Sequence, residues 1–482
     1  MNKLSNHIKQ AFGLTAGVIL VKAIEFLTLS YVIRTLGPEL YGIFGSIKHY
    51  TSVTVFFMVG ALHASVVKYV AKSISHNNRE KSRAFSNTIF TASFLFVLTS
   101  VILSLFGIRE VILVEYFNGY LDNSLYIATN ALLILLALNS YLKSMLSSLQ
   151  IIKAITVNTV AMGIINAAGM IITVLIYGLQ GVVLNFVFVT ALSCINLYLA
   201  LPREFRPKLI TKKKDFYIDG RFTTSYILPS FLSLGVVNVV TMYLNSTVLS
   251  WQDGAKIYGV YASCLTLATL SIVAQQSLGR VVFPLVMADG DSKTSESYRQ
   301  YMNFNVSIFI GLVCGLPLIL IPEVLGIIFG KEFSSIDAKQ ALMYVGMFTT
   351  IIAFREGIQR NLARKELQWL NLFSNCVWAL TCSLYMFYSD AFSASIRAYA
   401  FFLAYSVQLI VFLPLYNKLG LLSKKASKKE ILLILVLLIL LIYGVQLLLN
   451  LTVSLRIGLF LTLNGWIAIK ALRMRNNIRS IP

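Results

Sequence analysis

Long apolar runs separated by short polar or basic segments organise this chain from end to end. They cover approximately 11–33, 41–70, 84–106, 124–146, 154–177, 182–201, 223–250, 257–284, 301–322, 338–360, 369–388, 396–416, 431–450 and 453–472. Each approaches or exceeds the roughly 20 residues that a helix needs to cross a bilayer, so the pattern predicts about fourteen membrane-spanning helices. An even number puts both ends on the same side. The opening segment, MNKLSNHIKQ, runs into a full-length apolar stretch with no small-residue cleavage site. The first run therefore reads as span one and not as a removable signal.

The basic residues fix the orientation. With the N-terminus inside, the inward segments hold about 28 lysines and arginines and the outward ones about 6, the asymmetry of the positive-inside rule. The expectation is a multi-pass membrane protein with both termini cytoplasmic. Composition agrees: 57% of the 482 residues are hydrophobic and 13% charged, and the mean hydropathy is +0.75. Soluble domains carry about 25% charged residues. The net charge of +21 lies mostly in the inward loops, so it reads as topology, and no nucleic-acid partner is expected. Cys194, Cys264, Cys314, Cys376 and Cys382 lie inside apolar runs at no ligand spacing. They read as small buried hydrophobes.

Two basic segments divide the chain. Pro202–Arg221, PREFRPKLITKKKDFYIDGR, lies between spans six and seven, and Ser423–Glu430, SKKASKKE, between spans twelve and thirteen. Lysines so close to a membrane attract anionic lipid, but anchoring and topology suffice to explain both. The flanking halves look duplicated: LYGIFGS at Leu40–Ser46 returns as IYGVYAS at Ile257–Ser263, 217 residues later, and Gly37 keeps that offset to Gly254. Leu105-Phe106-Gly107 similarly matches Ile328-Phe329-Gly330. The predicted fold is thus an all-α polytopic membrane protein with two parallel six-helix lobes and a C-terminal helix pair. Its parts are an N-lobe at 1–201, a linker at 202–221, a C-lobe at 222–417, and a basic loop, two spans and a tail at 418–482. Parallel repeats typify transporters whose substrate site lies between the halves. Pro229, Pro284, Pro317 and Pro414 fall within second-half spans and permit bends there.

Charges inside the spans are the candidate chemistry. A central ammonium costs about 2.5–3.5 kcal/mol on insertion scales, so Lys22, near the middle of span one, is expected to face protein or a watery cavity. Lys48 lies seven residues into span two, and Arg280 and Arg355 sit near the inner ends of spans eight and ten. Lys68, Lys339 and Lys470 are close enough to span ends to snorkel. Within spans the acids are Glu25 and Glu356. This excess of positive charge suits an anionic ligand, whereas an exporter of cationic drugs needs carboxylates in its cavity. Glu25 lies one helical turn from Lys22 and could pair with it, for about 4 kcal/mol at an effective dielectric near 20. Both readings of Lys22, ligand contact and internal pair, stay open. His49 and His63, fourteen residues apart in span two, read as polar cavity or packing residues and not as metal ligands. With no phosphate-cradling Gly-rich loop and no HExxH pair, neither an ATP-driven machine nor a metallo-enzyme is expected, and no cofactor. Span thirteen is nearly pure leucine, isoleucine and valine, as a lipid-facing helix would be.

The sequence also carries a resemblance. Span one ends in Arg34-Thr35-Leu36-Gly37-Pro38, Tyr41-Gly42 opens span two, and Lys68-Tyr69-Val70-Ala71 closes it before a basic loop. The tight Tyr177-Gly178-Leu179-Gln180-Gly181-Val182 turn joins spans five and six. With the six-plus-six layout, these features resemble the O-antigen flippases (Wzx type) of the polysaccharide-transporter family, in the multidrug/oligosaccharidyl-lipid/polysaccharide exporter superfamily. The similarity runs over most of residues 1–416, and the extra pair of spans is similar to that of the lipid II flippases. The resemblance implies translocation, without catalysis, of an undecaprenyl-pyrophosphate-linked oligosaccharide from the cytoplasmic to the periplasmic leaflet. The charges within the spans supply the candidates for that role: Lys22, Lys48, Arg280 and Arg355 as substrate contacts and, from its depth alone, Glu25 as a residue exchanging H+ or Na+. A polysaccharide polymerase with its chain-length regulator would be a partner, and membrane lipids would surround the chain. Span thirteen would line a groove for the prenyl tail. Two alternatives remain at this stage: a drug or cation exporter of the same fold, and a membrane-embedded glycan polymerase or ligase. The latter is disfavoured because the longest outward loop, Gly107–Asn123, is short.

Overall fold

A computed structural model describes residues 2–75, 78–209, 220, 223–287, 303–304, 306–389, 392–422, 445, 448–463 and 465. Among them there are helices and no strands. The principal elements are α1 (Asn2–Val55), α2 (Ala61–Ser75), α3 (Arg79–Ile102), α4 (Asn123–Ser148), α5 (Ile152–Ala200), α6 (Leu228–Leu249), α7 (Gly254–Met287), α8 (Val306–Leu320), α9 (Val324–Phe329), α10 (Ile336–Arg364), α11 (Gln368–Tyr388) and α12 (Ala394–Lys418). A further apolar helix, α13, covers Val453–Leu463. Most of the 202–221 linker, the 423–430 segment and span thirteen lie outside the described residues.

Among the described residues, 8 helical stretches are long and apolar enough to cross a membrane. Two of these hold a pair of spans each, because a glycine breaks them. Gly37 (φ 71, ψ 174) interrupts α1 just ahead of Pro38, and Gly178 (φ 54, ψ −133) interrupts α5. A positive φ costs glycine almost nothing, so the chain reverses direction there without a loop. These breaks fall at the two turns that the sequence pattern places between spans one and two and between spans five and six. Span two also contains a π-helical turn, Phe56–Gly60, where Phe57 packs its ring 5.3 Å from that of Phe231.

Contacts divide the chain into two compact units, Met1–Gly259 and Val260–Pro482. The first is built on α1 against α5 and α4 against α5. A core cluster of Val66, Phe85, Tyr141, Leu142, Met145 and Leu197 joins α2, α3, α4 and α5, with the Tyr141 hydroxyl donating to the Ser86 carbonyl at 3.0 Å. Outside the spans, the Asp122 carboxylate accepts from the Leu125 N–H at 2.7 Å, from the Ser124 hydroxyl and from the Gln180 amide. It thereby caps α4 and ties that helix to the α5 turn. The Leu125 N–H foremost, with the other donors, holds this carboxyl below its ordinary value.

Within this unit two backbones cross with no side chain between them. A Cβ on Gly42 would collide with the Ala255 carbonyl, and one on Gly259 with the Pro38 carbonyl. The 217-residue offset that relates the two sequence repeats carries Pro38 to Ala255 and Gly42 to Gly259. The contact is reciprocal: each glycine meets the carbonyl of the residue four positions before the other. Near the same end of the helices, Asn118 donates to the Leu249 carbonyl at 3.2 Å and Ser246 to that of Glu115.

The second unit packs α10 against α8 and α12, and α11 against α12. Asp337, in the first turn of α10, accepts from the Ala394 and Ser395 N–H groups at 3.0 Å each and so caps α12. Glu323, ahead of α9, takes a two-pronged bond from buried Arg456 of α13 at 2.7 and 3.2 Å. Lys339 stands 3.6 Å from the same carboxylate. Burial pushes the Glu323 carboxyl up, but the Arg456 bonds and the Lys339 charge outweigh it and hold the group below its ordinary value. A lowered folded-state value stabilises above the unfolded carboxylate range of about 4.3 and is lost as pH falls through the folded value. Docking of α13 is therefore expected to be intact at neutral pH and to fail in acid. Glu323→Gln, which strands Arg456, should loosen the helix at pH 7 by about 3 kcal/mol. Hydrogen exchange across 453–463 measures this directly.

Candidate functional site

The sequence-named residues fall into separate local environments. In the first unit, Lys48 projects exposed from the helix that follows the Gly37 break. Its ammonium lies 5.9 Å from the centroid of the Phe186 ring, at the mouth of a cavity of about 50 Å³ lined also by Phe44, Leu132 and Val183. A cation over an aromatic face in an exposed position gains about 0.5–1 kcal/mol. That is enough to orient the amine and too little to retain it against an anion. The Thr51 hydroxyl in the same cavity is committed to the Ile47 and Lys48 carbonyls, each at 3.0 Å. Lys48 thus presents its ammonium beside the Phe186 ring on the wall of this cavity.

Glu25 is half-buried on span one. It faces α5 at Gly163, where an added Cβ would stand 3.5 Å from its Oε1. The side chains of Lys22, Lys68 and Arg280 lie outside the described ones, and Lys470 lies outside the described residues. The pairing of Lys22 with Glu25 therefore stays a sequence-level expectation. His63 is buried, with Nδ1 2.9 Å from the Ser140 hydroxyl and its ring 5.7 Å from that of Tyr141, a packing role in the first core. No group of metal-ligating side chains occurs among the described residues.

In the second unit Arg355 is buried among polar and aromatic groups from three helices. Its guanidinium donates to Asn375 Oδ1 at 3.1 Å and lies 5.2 Å from the Tyr405 ring centroid. Gln408 donates to the same Asn375 oxygen at 3.1 Å and to the Ser374 hydroxyl at 2.8 Å, and Tyr416 also donates to Ser374 at 2.9 Å. Such a network locks α10, α11 and α12 together and fixes where the arginine points. Although near the inner end of its span, Arg355 is covered by these neighbours and only 9% exposed.

Besides Arg456, two further buried arginines escaped the sequence reading. Arg397, 1% exposed, lies 4.9 Å from the Tyr261 ring and 5.3 Å from that of Phe401. Arg360, 5% exposed, donates to Asn303 and Ser307 at 3.2 Å each. Both sit at the margins of their apolar runs, where an arginine ordinarily reaches water. The helices extend past those margins, to Arg364 and from Ala394, and neighbouring helices cover the side chains. The signal that could have found Arg360 is the polar company at helical spacing, Glu356-Arg360 and Asn303-Ser307.

A family model described as polysaccharide biosynthesis protein matches residues 8–289. No curated protein sequence matches the chain. Solved structures of similar fold include the lipid II flippase MurJ in an inward closed conformation, 14% identical, with a TM-score of 0.63 over 97% of this chain and 100% of that one. An inward-facing multidrug resistance MATE family transporter of the MOP superfamily gives 14% identity and a TM-score of 0.63, over 86% and 99%. A MOP superfamily transporter from Pyrococcus furiosus, described as having a binding pocket of reverse polarity, gives 13% and 0.59, over 85% and 95%. At these identities the likeness establishes a shared all-helical, multi-pass fold.

Proposed function

From its membership of the polysaccharide biosynthesis protein family, to which the chain belongs, we propose that this protein is a flippase for a lipid-linked oligosaccharide. The cargo is an undecaprenyl-pyrophosphate-linked repeat unit of a surface polysaccharide such as O-antigen, carried from the cytoplasmic to the periplasmic leaflet of the inner membrane. The observation that carries this reading is the sign of the charge within the helices. Among the described residues, Lys48, Arg355, Arg360 and Arg397 stand inside membrane helices against Glu25 and Glu356. A diphosphate answers that imbalance and a cationic drug aggravates it.

In this reading Lys22, Lys48, Arg280 and Arg355 contact the phosphate-sugar head while the prenyl tail stays in lipid. Rocking of one six-span lobe against the other exposes the head alternately to the two sides. Glu25 exchanges H+ or Na+ to couple the cycle, and a polymerase with its chain-length regulator receives the cargo. No bond is made or broken, so neither cofactor nor catalytic group is required.

Cells lacking the protein should accumulate lipid-linked repeat units on the cytoplasmic leaflet, as read by leaflet-selective lectin labelling of spheroplasts and inverted vesicles. Normal display of the glycan outside such cells would overturn the reading. Lys48→Ala should lower flipping about tenfold with folding unaffected, since an exposed side chain contributes little to stability. Lys48→Arg should restore most of it, because charge and reach are kept. Initial rates in proteoliposomes with a fluorescent lipid-linked glycan check both.

A further inference from the structure

The two Arg–Glu pairs of the second unit differ in a way that separates structure from binding. Arg456 turns both of its terminal nitrogens onto Glu323, through two bonds of 2.7 and 3.2 Å, and leaves Nε without an acceptor among the described residues. Arg360 and Glu356 make no such bond: the nearest approach is 3.6 Å, beyond hydrogen-bonding distance. The rest of Arg360 is rigidly held. Its Nη1 donates to Asn303 Oδ1 and to the Ser307 hydroxyl, each at 3.2 Å. Asn303 in turn donates to the Gly357 carbonyl at 2.9 Å and to Asn361 at 3.3 Å. Asn361 donates to the Leu421 carbonyl at 2.7 Å.

At the end of this chain of bonds Nη2 is buried and has no hydrogen-bond acceptor among the described residues. Leaving a charged donor buried and unmet is costly, and native structures keep such groups for a reason. The Arg360 side chain is 5% exposed and that of Glu356 35%, so the carboxylate is the outer cover and the guanidinium edge the inner surface. One anion already lies over Nη2, loosely, on a side chain free to turn toward water.

We propose that Arg360 forms an anion subsite for a phosphate group, with Glu356 as its displaceable internal counter-ion. An arriving phosphate oxygen accepts the Nη2–H, and the Glu356 carboxylate moves out into solvent. Guanidinium suits this exchange because its planar fork meets phosphate and carboxylate with the same geometry. The internal carboxylate weakens the site, as a transporter that must release its ligand requires. The assignment rests on the phosphate-bearing cargo proposed above and adds a residue that the sequence did not name.

The test is equilibrium dialysis of radiolabelled inorganic pyrophosphate with the purified full-length chain in phosphatidylcholine nanodiscs. Glu356→Gln should bind about tenfold more tightly than the native chain, and Arg360→Gln should bind at background. The double variant should show no gain, which separates loss of a local competitor from a general change of charge. Repeating the measurement in phosphatidylglycerol nanodiscs distinguishes the source of the phosphate. Competition that depends on Arg360 assigns the subsite to a lipid headgroup, and its absence assigns it to the cargo diphosphate. Unchanged affinity in Glu356→Gln, or tightening that persists in the double variant, would overturn the subsite. Because the readout is binding, that result leaves the flippase reading standing, and leaflet trapping in cells tests the latter separately.

Discussion

Gly42→Ala is expected to reduce transport more than tenfold, and Gly259→Ala to do the same. At each position the new methyl group would run into a backbone carbonyl, that of Ala255 or Pro38, and into the opposing glycine nitrogen at 3.0 Å. A flexible side chain could move aside; a helix backbone cannot without carrying its neighbours. Forcing an extra methyl group into closed packing costs about 1–3 kcal/mol. Here the strain relieves itself by separating the helices, and the polar contacts at Glu115, Asn118, Ser246 and Leu249 would be lost with it. In a cysteine-free background, Ala255→Cys should be shielded from a membrane-impermeant maleimide and should become reactive once Gly42→Ala is added. The double glycine variant should be little worse than either single one, because both act on one crossing. Wild-type flipping in Gly42→Ala would show that the crossing can open at no cost.

Arg397→Ala is expected to have the largest effect on stability, about 3–5 kcal/mol. The side chain is 1% exposed and lies against the Tyr261 and Phe401 rings. Its removal opens a cavity beside the Phe401 ring, which packs 5.5 Å from that of Trp378, near the α12 terminus that Asp337 caps. The loss should appear as a lowered melting temperature in detergent or as failure to accumulate in the membrane. Arg397→Lys should recover part of it, since lysine keeps the charge but not the planar stacking surface. A variant that accumulates and melts normally, yet fails to transport, would move Arg397 from the packing of this unit to the handling of cargo.

Span positions, the Gly37 and Gly178 turns and the duplicated segments were legible because each depends on local pattern. Twenty apolar residues make a span whatever surrounds them, and a glycine ahead of a proline breaks a helix by its own geometry. The inner-half cation Arg355 was visible for the same reason, as a charge within an apolar run. Arg360 and Arg397 were not, because hydropathy cannot tell an arginine that reaches water from one covered by a neighbouring helix. Lys48 illustrates the converse: the sequence places it inside an apolar run, but only packing reveals its position over Phe186.

The sequence by itself therefore determined the class of the protein, the course of its spans and the sign of the charge they carry. These follow from periodicity and composition, which the bilayer reads one helix at a time. Only the tertiary structure decided which charges are locked and which remain available. It set Arg456 closed on Glu323 apart from Arg360 held short of Glu356, and it brought Gly42 against Ala255 across more than two hundred residues. Such differences are a matter of an ångström between groups on separate helices, and that distance is fixed by packing.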